Sequence, residues 1–366
     1  GCRLRPLRAR GGTRARRGLT MSLKYAAIRA MFEALWLSRL PGLVRALSSS
    51  RGVIFTLHRV LPDEPAPFSP NAILQVRPDF LEYVIERVRD LDLDIVSLDE
   101  ALERLAAPRA GRRFVVLTFD DGYRDNLHYA LPILRRQEAP FTLYVPTALV
   151  DGTGEIWWQA IEDVIAGHDA VVITAGDASD RVDTRTPAQK QAAFDRLYWQ
   201  MRKMPEPERV ALVRSFCAAH GYDLGRQCRD LIMDWQELRL FADEPLCTIG
   251  AHTVHHYELT KLPLDEARQE MVQSAEILSA QFGRRPAHFS YPLGGPLSAG
   301  EREFDLAREL GFRSAVTTRP GGLYAHHAQK PHALPRVSLN GYFQSFRYVD
   351  VFATGAIFSA MGRLTG

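Results

Sequence analysis

The chain has 366 residues, 46% of them hydrophobic, which is enough for one barrel-sized domain with an insertion or for two ordinary domains. The formal net charge of +3 does not describe the body of the chain, because residues 1–20 contain seven arginines and no acidic residue. Residues 21–366 contain 39 basic and 43 acidic residues. This mildly acidic body argues against nucleic acid as a partner, and four cysteines without C-x-x-C spacing argue against a disulfide scaffold or a zinc knuckle.

The first 50 residues contain two predicted segments. The arm over 1–20 lacks apolar periodicity and is expected to be disordered, as an upstream extension or as a mitochondrial transit peptide. Over 21–50 we predict a basic amphipathic helix. Within its segment 21–47, one face carries Ala27, Met31, Leu35 and Trp36. This helix would either lie on a membrane surface or pack on the body of the protein.

The hydropathy of the chain bears on its location. No run approaches the roughly 18–20 apolar residues of a spanning helix, and no secretory apolar region precedes the body. We therefore expect a cytoplasmic protein, either free or associated with a membrane surface.

Strands and helices alternate from residue 51 onward. Short apolar runs predict strands at 53–57, 94–98, 114–119, 141–146, 246–251, 288–292 and 313–318. Helical patterns occupy 78–91, 99–106, 125–137, 264–282 and 299–310. Such repeated units indicate an α/β fold with a parallel sheet, and about seven strands favour a (β/α) barrel over 51–366, with an open sheet as the alternative.

Residues 151–245 interrupt this alternation. They begin with "EIWWQAIEDVIAG", continue through a polar stretch, and contain helical segments near 187–203 and 206–219. We interpret them as a mostly helical insertion in the barrel.

Polar motifs follow three of the predicted strands. Asp120 and Asp121 come after 114–119, "HTVHH" (252–256) comes after 246–251, and "SYPLGG" (290–295) closes the strand at 288–292. The loops at the carboxyl ends of parallel barrel strands converge on one face. The three motifs are therefore predicted to form one active site.

The histidine spacing points to a metal. His252 and His256 are four residues apart, which on a helical turn places both imidazoles on one side. Two imidazoles and one carboxylate, with further positions open to water, are typical of a catalytic zinc site. One of the two adjacent aspartates would then be a ligand, and the other would be free to accept a proton from a metal-bound water.

At these motifs the sequence resembles the polysaccharide deacetylases, which are carbohydrate esterase family 4 and include nodulation protein B. "TFDDG" (118–122) and "HTVHH" match two motifs of that family, and the resemblance covers roughly 51–340. It implies a distorted (β/α) barrel that removes acetyl groups from an N-acetylated oligo- or polysaccharide, chitooligosaccharide being the usual assignment. It also implies that Asp120 is the general base, and that Asp121, His252 and His256 bind a divalent metal, usually zinc.

Other family motifs are altered. Ser290 stands where the motif R-x-P-x-G has its arginine, and the late segment "HALPRVSLNG" (332–341) has no clear match to the usual late histidine. The "YPLGG" stretch is still expected to line the substrate, with the Leu293 N–H as an oxyanion donor. Its predicted substrate residues are Tyr291, Pro292, Leu293 and Gly294.

The general acid is assigned from the first strand. A subgroup acting on exported bacterial polysaccharides carries a Tyr-His pair there, and "TLHRV" (56–60) resembles that pair, with Leu57 in place of the aromatic residue. His58 is therefore our candidate for the acid that protonates the departing amine, and a core histidine is the alternative. Trp157 and Trp158 are expected either to stack on sugar rings or to fill the core.

Three function classes remain open at this level. The first is a metal-dependent sugar N-deacetylase. The second is a metal hydrolase of a non-sugar amide on the same barrel, and the third is a non-catalytic carbohydrate-binding relative. Turnover of N-acetylated sugars separates the first class from the other two.

Overall fold

A parallel sheet that curls into a half-barrel forms the centre of the protein. The structure is a computed structural model, and it describes residues 23–175, 178–355 and 357–358. The predicted arm over 1–20 lies outside the described residues. The strands are β1 (Gly52–Leu57), β2 (Arg59–Val60), β3 (Gln75–Val76), β4 (Asp94–Ile95), β5 (Phe114–Phe119), β6 (Phe141–Val145), β7 (Ala170–Ala175), β8 (Ala178–Asp183), β9 (Cys247–Ala251), β10 (His288–Ser290), β11 (Ser314–Val316) and β12 (Val337–Ser338).

Seven strands form the curled sheet in the order β11-β10-β9-β6-β5-β1-β12, and all of these pairs are parallel. The short strand β4 pairs with the start of β5. Every residue of β1, β5 and β6 is buried, as expected for parallel strands that are covered on both faces. The fold class predicted from the sequence is therefore confirmed.

Helices surround this sheet. They are α1 (Leu23–Leu37), α2 (Leu40–Leu47), α3 (Pro78–Asp90), α4 (Leu98–Ala106), α5 (Leu131–Arg136), α6 (Thr147–Val150), α7 (Trp157–Gly167), α8 (Pro187–Met201), α9 (Glu206–Ala219), α10 (Leu224–Leu231), α11 (Trp235–Ala242), α12 (Leu264–Phe282), α13 (Glu301–Glu309) and α14 (Val349–Phe352). A π-helical turn over Asn126–Ala130 precedes α5. Within the described residues, every helix is too short or too polar to cross a bilayer.

The insertion between β6 and β9 contains α7 to α11 and one antiparallel hairpin, β7–β8, which the sequence reading did not predict. The chain leaves the sheet at the carboxyl end of β6 and re-enters at the amino end of β9, which pairs with β6 in parallel over five residues. The insertion can therefore stand above the carboxyl ends of the strands without breaking the sheet.

The last strand links the two edges of the curl. Leu334 forms a parallel bridge to Val316 of β11, and three residues later Val337 pairs with Phe55 of β1. The sequence did not predict a strand in this segment. The strand is short, since only Val337 and Ser338 have strand geometry. It places Arg336 between the first and last strands of the sheet.

The strand predicted at 94–98 is shorter than expected. Only Asp94 and Ile95 are in β4, because the Ser97 side chain accepts a hydrogen bond from the Glu100 N–H and so caps α4. The cap begins a helix where the apolar pattern alone suggested a longer strand.

The predicted amino-terminal helix is two helices. Arg39 has φ 55°, and Pro41 lies in the first turn of α2, so the backbone changes direction between α1 and α2. Phe32 of α1 is buried against the aromatic rings of the carboxyl-terminal segment. These rings belong to Phe343, Tyr348, Phe352 and Phe358.

The two helices use their apolar residues differently. Met31 and Leu35 of the predicted membrane face pack against the core, which is the second of the two roles that the sequence allowed. In contrast, a leucine cluster in and before α2 is exposed. It consists of Leu37, Leu40, Leu43 and Leu47.

Candidate active site

Three buried side chains meet where β5 and β9 end. Asp121 Oδ1 lies 3.5 Å from His252 Nε2 and 3.3 Å from His256 Nε2. All three residues are at most 8% exposed, and one ligand atom from each lies within 4.8 Å of the others. The structure thus brings together the three residues that the sequence predicted as a metal site.

The backbone fixes the orientation of His252. Its Nδ1 lies 2.6 Å from the carbonyl oxygen of Ser290, so Nδ1 carries the proton and donates it there. Nε2 is then the ring nitrogen that faces Asp121. A histidine ligand held through its other ring nitrogen by a carbonyl is the usual arrangement at metal sites.

The triad fits a divalent metal ion. Two ligands that are each about 2.0–2.1 Å from a tetrahedral zinc ion are separated by about 3.3–3.4 Å, close to the two distances observed here. Within the described residues, no hydrogen-bond partner meets the buried Asp121 Oδ1. Burial acts to raise the pKa of Asp121, but His256 and His252 reverse this effect and hold the pKa well below its ordinary value.

Asp120, the neighbouring carboxylate, has a different partner. The Arg336 guanidinium donates to Asp120 Oδ1 at 2.8 Å and to Oδ2 at 2.7 Å, and neither side chain is more than 3% exposed. Burial acts to raise the pKa of Asp120, but the charge and hydrogen bonds of Arg336 outweigh it, so the pKa lies below its ordinary value. Asp120 is therefore an anion whose two carboxylate oxygens are both held by Arg336.

Arg336 is the functional residue that the sequence reading missed. It also donates to Ser290 Oγ at 3.1 Å, and Ser290 stands where the family motif has its own arginine. The guanidinium thus reaches the aspartate from the closing segment of the barrel, not from the strand that precedes "PLGG". An arginine inside the apolar run "LPRVSL" is the only signal in the sequence that marks it.

His58 lies at the same end of the sheet. It follows β1 directly and lines the same cavity as Asp120 and Asp121. Burial lowers the pKa of His58, and the Asp121 and Asp120 carboxylates act in the opposite direction. The predicted proximity to the carboxylates is therefore present.

The four residues predicted from "YPLGG" lie in different environments in the structure. Tyr291 is buried, and its hydroxyl donates to the carbonyl oxygens of His332 at 2.9 Å and Glu303 at 3.3 Å, so it belongs to the core and not to the substrate surface. Leu293 lines the cavity, whereas Pro292 and Gly294 do not.

Gly294 and Leu293 shape this loop. Gly294 has φ 52°, and a Cβ there would lie 2.7 Å from the Thr318 nitrogen, so the turn requires glycine. Leu293 has φ 61°, and no described residue accepts a hydrogen bond from its N–H. That N–H is free to serve as the predicted oxyanion donor.

The site opens into a cavity of about 1480 Å³. Trp157 and Trp158 line it, although each is at least nine-tenths buried. The Trp158 ring lies 4.9 Å from the His256 ring, and its Nε1 donates to the Tyr123 hydroxyl at 3.0 Å. The tryptophans therefore pack in the core of the insertion and also line the cavity, while their stacking on sugar rings stays a prediction.

The turn that carries the histidines is anchored from α12. Glu270 accepts hydrogen bonds from the N–H groups of Val254 and His255 and from His255 Nδ1, which lies 2.6 Å away. His255 thus points away from the metal site. This contact holds the turn so that His252 and His256 share one side.

Comparisons with known proteins agree with this geometry. Residues 107–315 match the model of the family described as polysaccharide deacetylase. A Bacillus subtilis protein, YxkH, whose name also assigns it to the polysaccharide deacetylases, is 31% identical over 86 residues. That match covers 22% of this chain and 30% of YxkH.

Two solved structures share the fold. The deacetylase PplD of Streptococcus pyogenes, in complex with acetate, aligns with 84% of this chain and 99% of its own at a TM-score of 0.55 and 17% identity. IcaB from Ammonifex degensii aligns with 84% of this chain and 98% of its own at a TM-score of 0.52 and 17% identity.

The Asp120–Arg336 pair gives a prediction on stability. Replacing Arg336 by Met leaves a buried carboxylate without its counter-charge, and the free energy of unfolding should fall by about 3–5 kcal/mol in urea titrations. The double variant Asp120→Asn/Arg336→Met should lose less than Arg336→Met alone, because the uncompensated charge is gone. As a control, Arg268→Met removes an exposed pair with Glu309 and should cost at most about 1 kcal/mol. Equal losses in the single and double variants would contradict the pairing.

Proposed function

Because the chain belongs to the polysaccharide deacetylase family, we propose that it is a metal-dependent hydrolase that removes N-acetyl groups from an oligo- or polysaccharide containing N-acetylglucosamine. A chitooligosaccharide is the reference substrate. The observation that carries this proposal is the division between the two carboxylates. Asp121 faces two histidines, and Asp120 faces Arg336 in the same cavity.

Asp121, His252 and His256 would hold the metal, and their nitrogen and oxygen donors suit zinc. When bound, such an ion supplies Lewis-acid polarisation and lowers the pKa of a coordinated water. The remaining chemistry belongs to side chains and backbone of this chain.

Asp120 is the proposed general base. Its carboxylate accepts a proton from the attacking water at one Oδ atom, while the bidentate contact with Arg336 keeps the group ionised and in a fixed orientation. The Leu293 N–H would donate to the oxygen of the acetamide carbonyl as negative charge develops on it.

His58 is the proposed general acid for the departing amine. It lines the cavity beside Asp120 and Asp121, and its lowered pKa makes the imidazolium a stronger acid than an ordinary histidine. The Trp157 and Trp158 rings at the cavity wall would contact the apolar faces of the sugar rings.

The two aspartates should respond differently to removal of their charge. We expect Asp121→Asn, His252→Ala and His256→Ala to lose most of the bound metal in elemental analysis. Asp120→Asn should keep the metal and lose acetate release from N-acetylglucosamine oligomers by roughly 10²–10⁴-fold, the usual contribution of a general base. Similar metal content and similar turnover in Asp120→Asn and Asp121→Asn would refute this division of roles.

The His58 assignment has its own test. His58→Ala should retain the fold and the metal but lose deacetylation, with a change in the alkaline limb of the pH–rate profile, because a proton donor acts only below its pKa. His128→Ala replaces an exposed histidine and serves as the matched control. Turnover of His58→Ala near that of the control would assign His58 to the structure alone.

A peripheral membrane contact is a second part of the proposal. In the leucine cluster, Leu40, Leu43 and Leu47 recur at three- to four-residue spacing along α2 and are exposed, and the exposed Leu37 and Arg39 lie just before this helix. An apolar helical face bordered by arginine is typical of a helix that lies on an anionic lipid surface.

Flotation with anionic vesicles tests the membrane contact. Replacing Leu40, Leu43 and Leu47 by Ser should release the protein from vesicles, because these side chains would be the inserted ones. A control variant with Leu240, Leu264 and Leu297 replaced by Ser removes three exposed leucines elsewhere and should float like the wild type. Equal flotation of both variants would end this proposal.

A further inference from the structure

Arg202, directly after α8, lies in the wall of the catalytic cavity. Among the described residues that line the cavity, it is the one arginine or lysine. Its side chain is 19% exposed, so the guanidinium is largely removed from bulk water. A buried cation in a substrate cavity needs either close protein partners or a ligand.

The protein partners of Arg202 are distant. Its hydrogen bonds run to Tyr198 Oη at 3.4 Å, Glu258 Oε1 at 3.4 Å and Ser298 Oγ at 3.5 Å. Hydrogen bonds that involve an ionised group are normally about 2.7–2.9 Å long. In addition, its Nε is buried and has no hydrogen-bond partner in the described part of the chain.

Glu258 has two partners that are closer to it than Arg202 is. Ser298 Oγ donates to its Oε1 at 2.8 Å, and Lys261 Nζ lies 2.9 Å from its Oε2. Lys261 is thus the nearer cation to Glu258, and the ion pair of Glu258 with Arg202, at 3.4 Å, is the longer of the two. Arg202 is therefore available for another acceptor.

The charges around Arg202 do not cancel. Glu206 pairs with Arg209 at 2.7 Å, and Glu258 pairs with Lys261, so these two carboxylates are matched by two other cations. Arg202 remains as a surplus positive charge in this cluster. The acidic Asp195 also lines the cavity, but it is exposed.

We propose that Arg202 binds an anionic substituent, a phosphate or a carboxylate, on the glycan that enters this cavity. The proposal rests on the proposed function for the sugar part of the ligand, and on the long contacts of the guanidinium and its unpartnered Nε for the anionic part. A planar guanidinium with free N–H groups matches the oxygens of either anion. The substrate class is thereby narrowed from a neutral N-acetylglucosamine chain to one that carries negative charge.

Binding measurements on the metal-loaded protein test this inference. Three probes are compared by calorimetry: neutral tri-N-acetylglucosamine, the same trimer with a phosphate at its reducing end, and a trimer in which one residue is glucuronate. At least one anionic probe should bind the wild type about 10–100-fold more tightly than the neutral trimer, as expected for hydrogen bonds to a charged group. The anionic probe that binds more tightly shows whether the bound group is a phosphate or a carboxylate.

Two variants locate the effect. In Arg202→Gln the ratio of anionic to neutral affinity should fall to about one, whereas Lys203→Gln, an exposed neighbour, should keep the wild-type ratio. Equal affinities of the wild type for all three probes would overturn the inference, and this comparison does not depend on whether the variant folds. Full preference for the anion in Arg202→Gln would overturn it as well.

Acetate release from the same probes separates this inference from the proposed function. Release from the neutral trimer without any preference for an anion would leave the deacetylase proposal standing and reject the role of Arg202. Preference for an anion that depends on Arg202, without acetate release from any probe, would support the anion site and reject the deacetylase proposal.

Discussion

Two adjacent carboxylates, each only 2% exposed, are the constraint on which the site depends. Like charges at neighbouring positions in a buried environment destabilise the fold unless each has its own partner. In the structure the two carboxylates have different partners: Arg336 faces Asp120, and His252 and His256 face Asp121. The same division of partners would separate the proposed proton acceptor, Asp120, from the proposed metal ligand, Asp121, so the pairing that stabilises the fold is also the one that the proposed chemistry needs.

The loops that carry these groups are locally strained. Among the described residues, seven other than glycine have positive φ, and four of them lie in the loops that form the site. These four are Asp121, Thr253, His256 and Leu293. Such conformations cost about 1–3 kcal/mol each and persist where the surroundings fix them. Here Glu270 fixes the histidine turn, and Gly294 permits the close approach of the next loop to Thr318.

The sequence was sufficient to predict the parts of the molecule that depend on local pattern. The strands β5, β6 and β9 are buried apolar runs, and the three proposed metal ligands follow such runs directly. Arg336 was not predictable in the same way, because it lies 216 residues from Asp120 and beside a strand of only two residues. Its contact depends on how the sheet curls, which the hydropathy pattern does not encode.

Other errors have equally local causes. The hairpin β7–β8 was missed because its second strand, β8, is polar and the surrounding segment was interpreted as helical, although the sequence AVVITA of β7 carries an ordinary strand signal. Tyr291 was expected at the substrate because it belongs to a motif, but alternation along the chain turns its ring into the core, where it packs against Phe289 and Phe304. The motif predicted that this loop lies at the cavity, but it did not predict which of its side chains point into the cavity.

The insertion supplies what the sheet alone lacks, namely a wall for the cavity. Trp157 and Trp158 from α7 and Arg202 beyond α8 line the same space as the carboxylates. Arg209 from α9 lies over the Trp157 ring at 5.4 Å and pairs with the buried Glu206. The inserted helices therefore form part of the cavity wall, whereas the proposed catalytic residues lie after the strands and on the closing segment.

In the proposed mechanism Asp121 binds the metal and Asp120 does not. Anomalous diffraction from crystals of the zinc-loaded protein, collected on both sides of the zinc absorption edge, tests this division directly. We expect one peak in contact with Asp121, His252 and His256, with Asp120 still paired to Arg336. A peak coordinated by Asp120, or the absence of a peak among these three ligands, would contradict it.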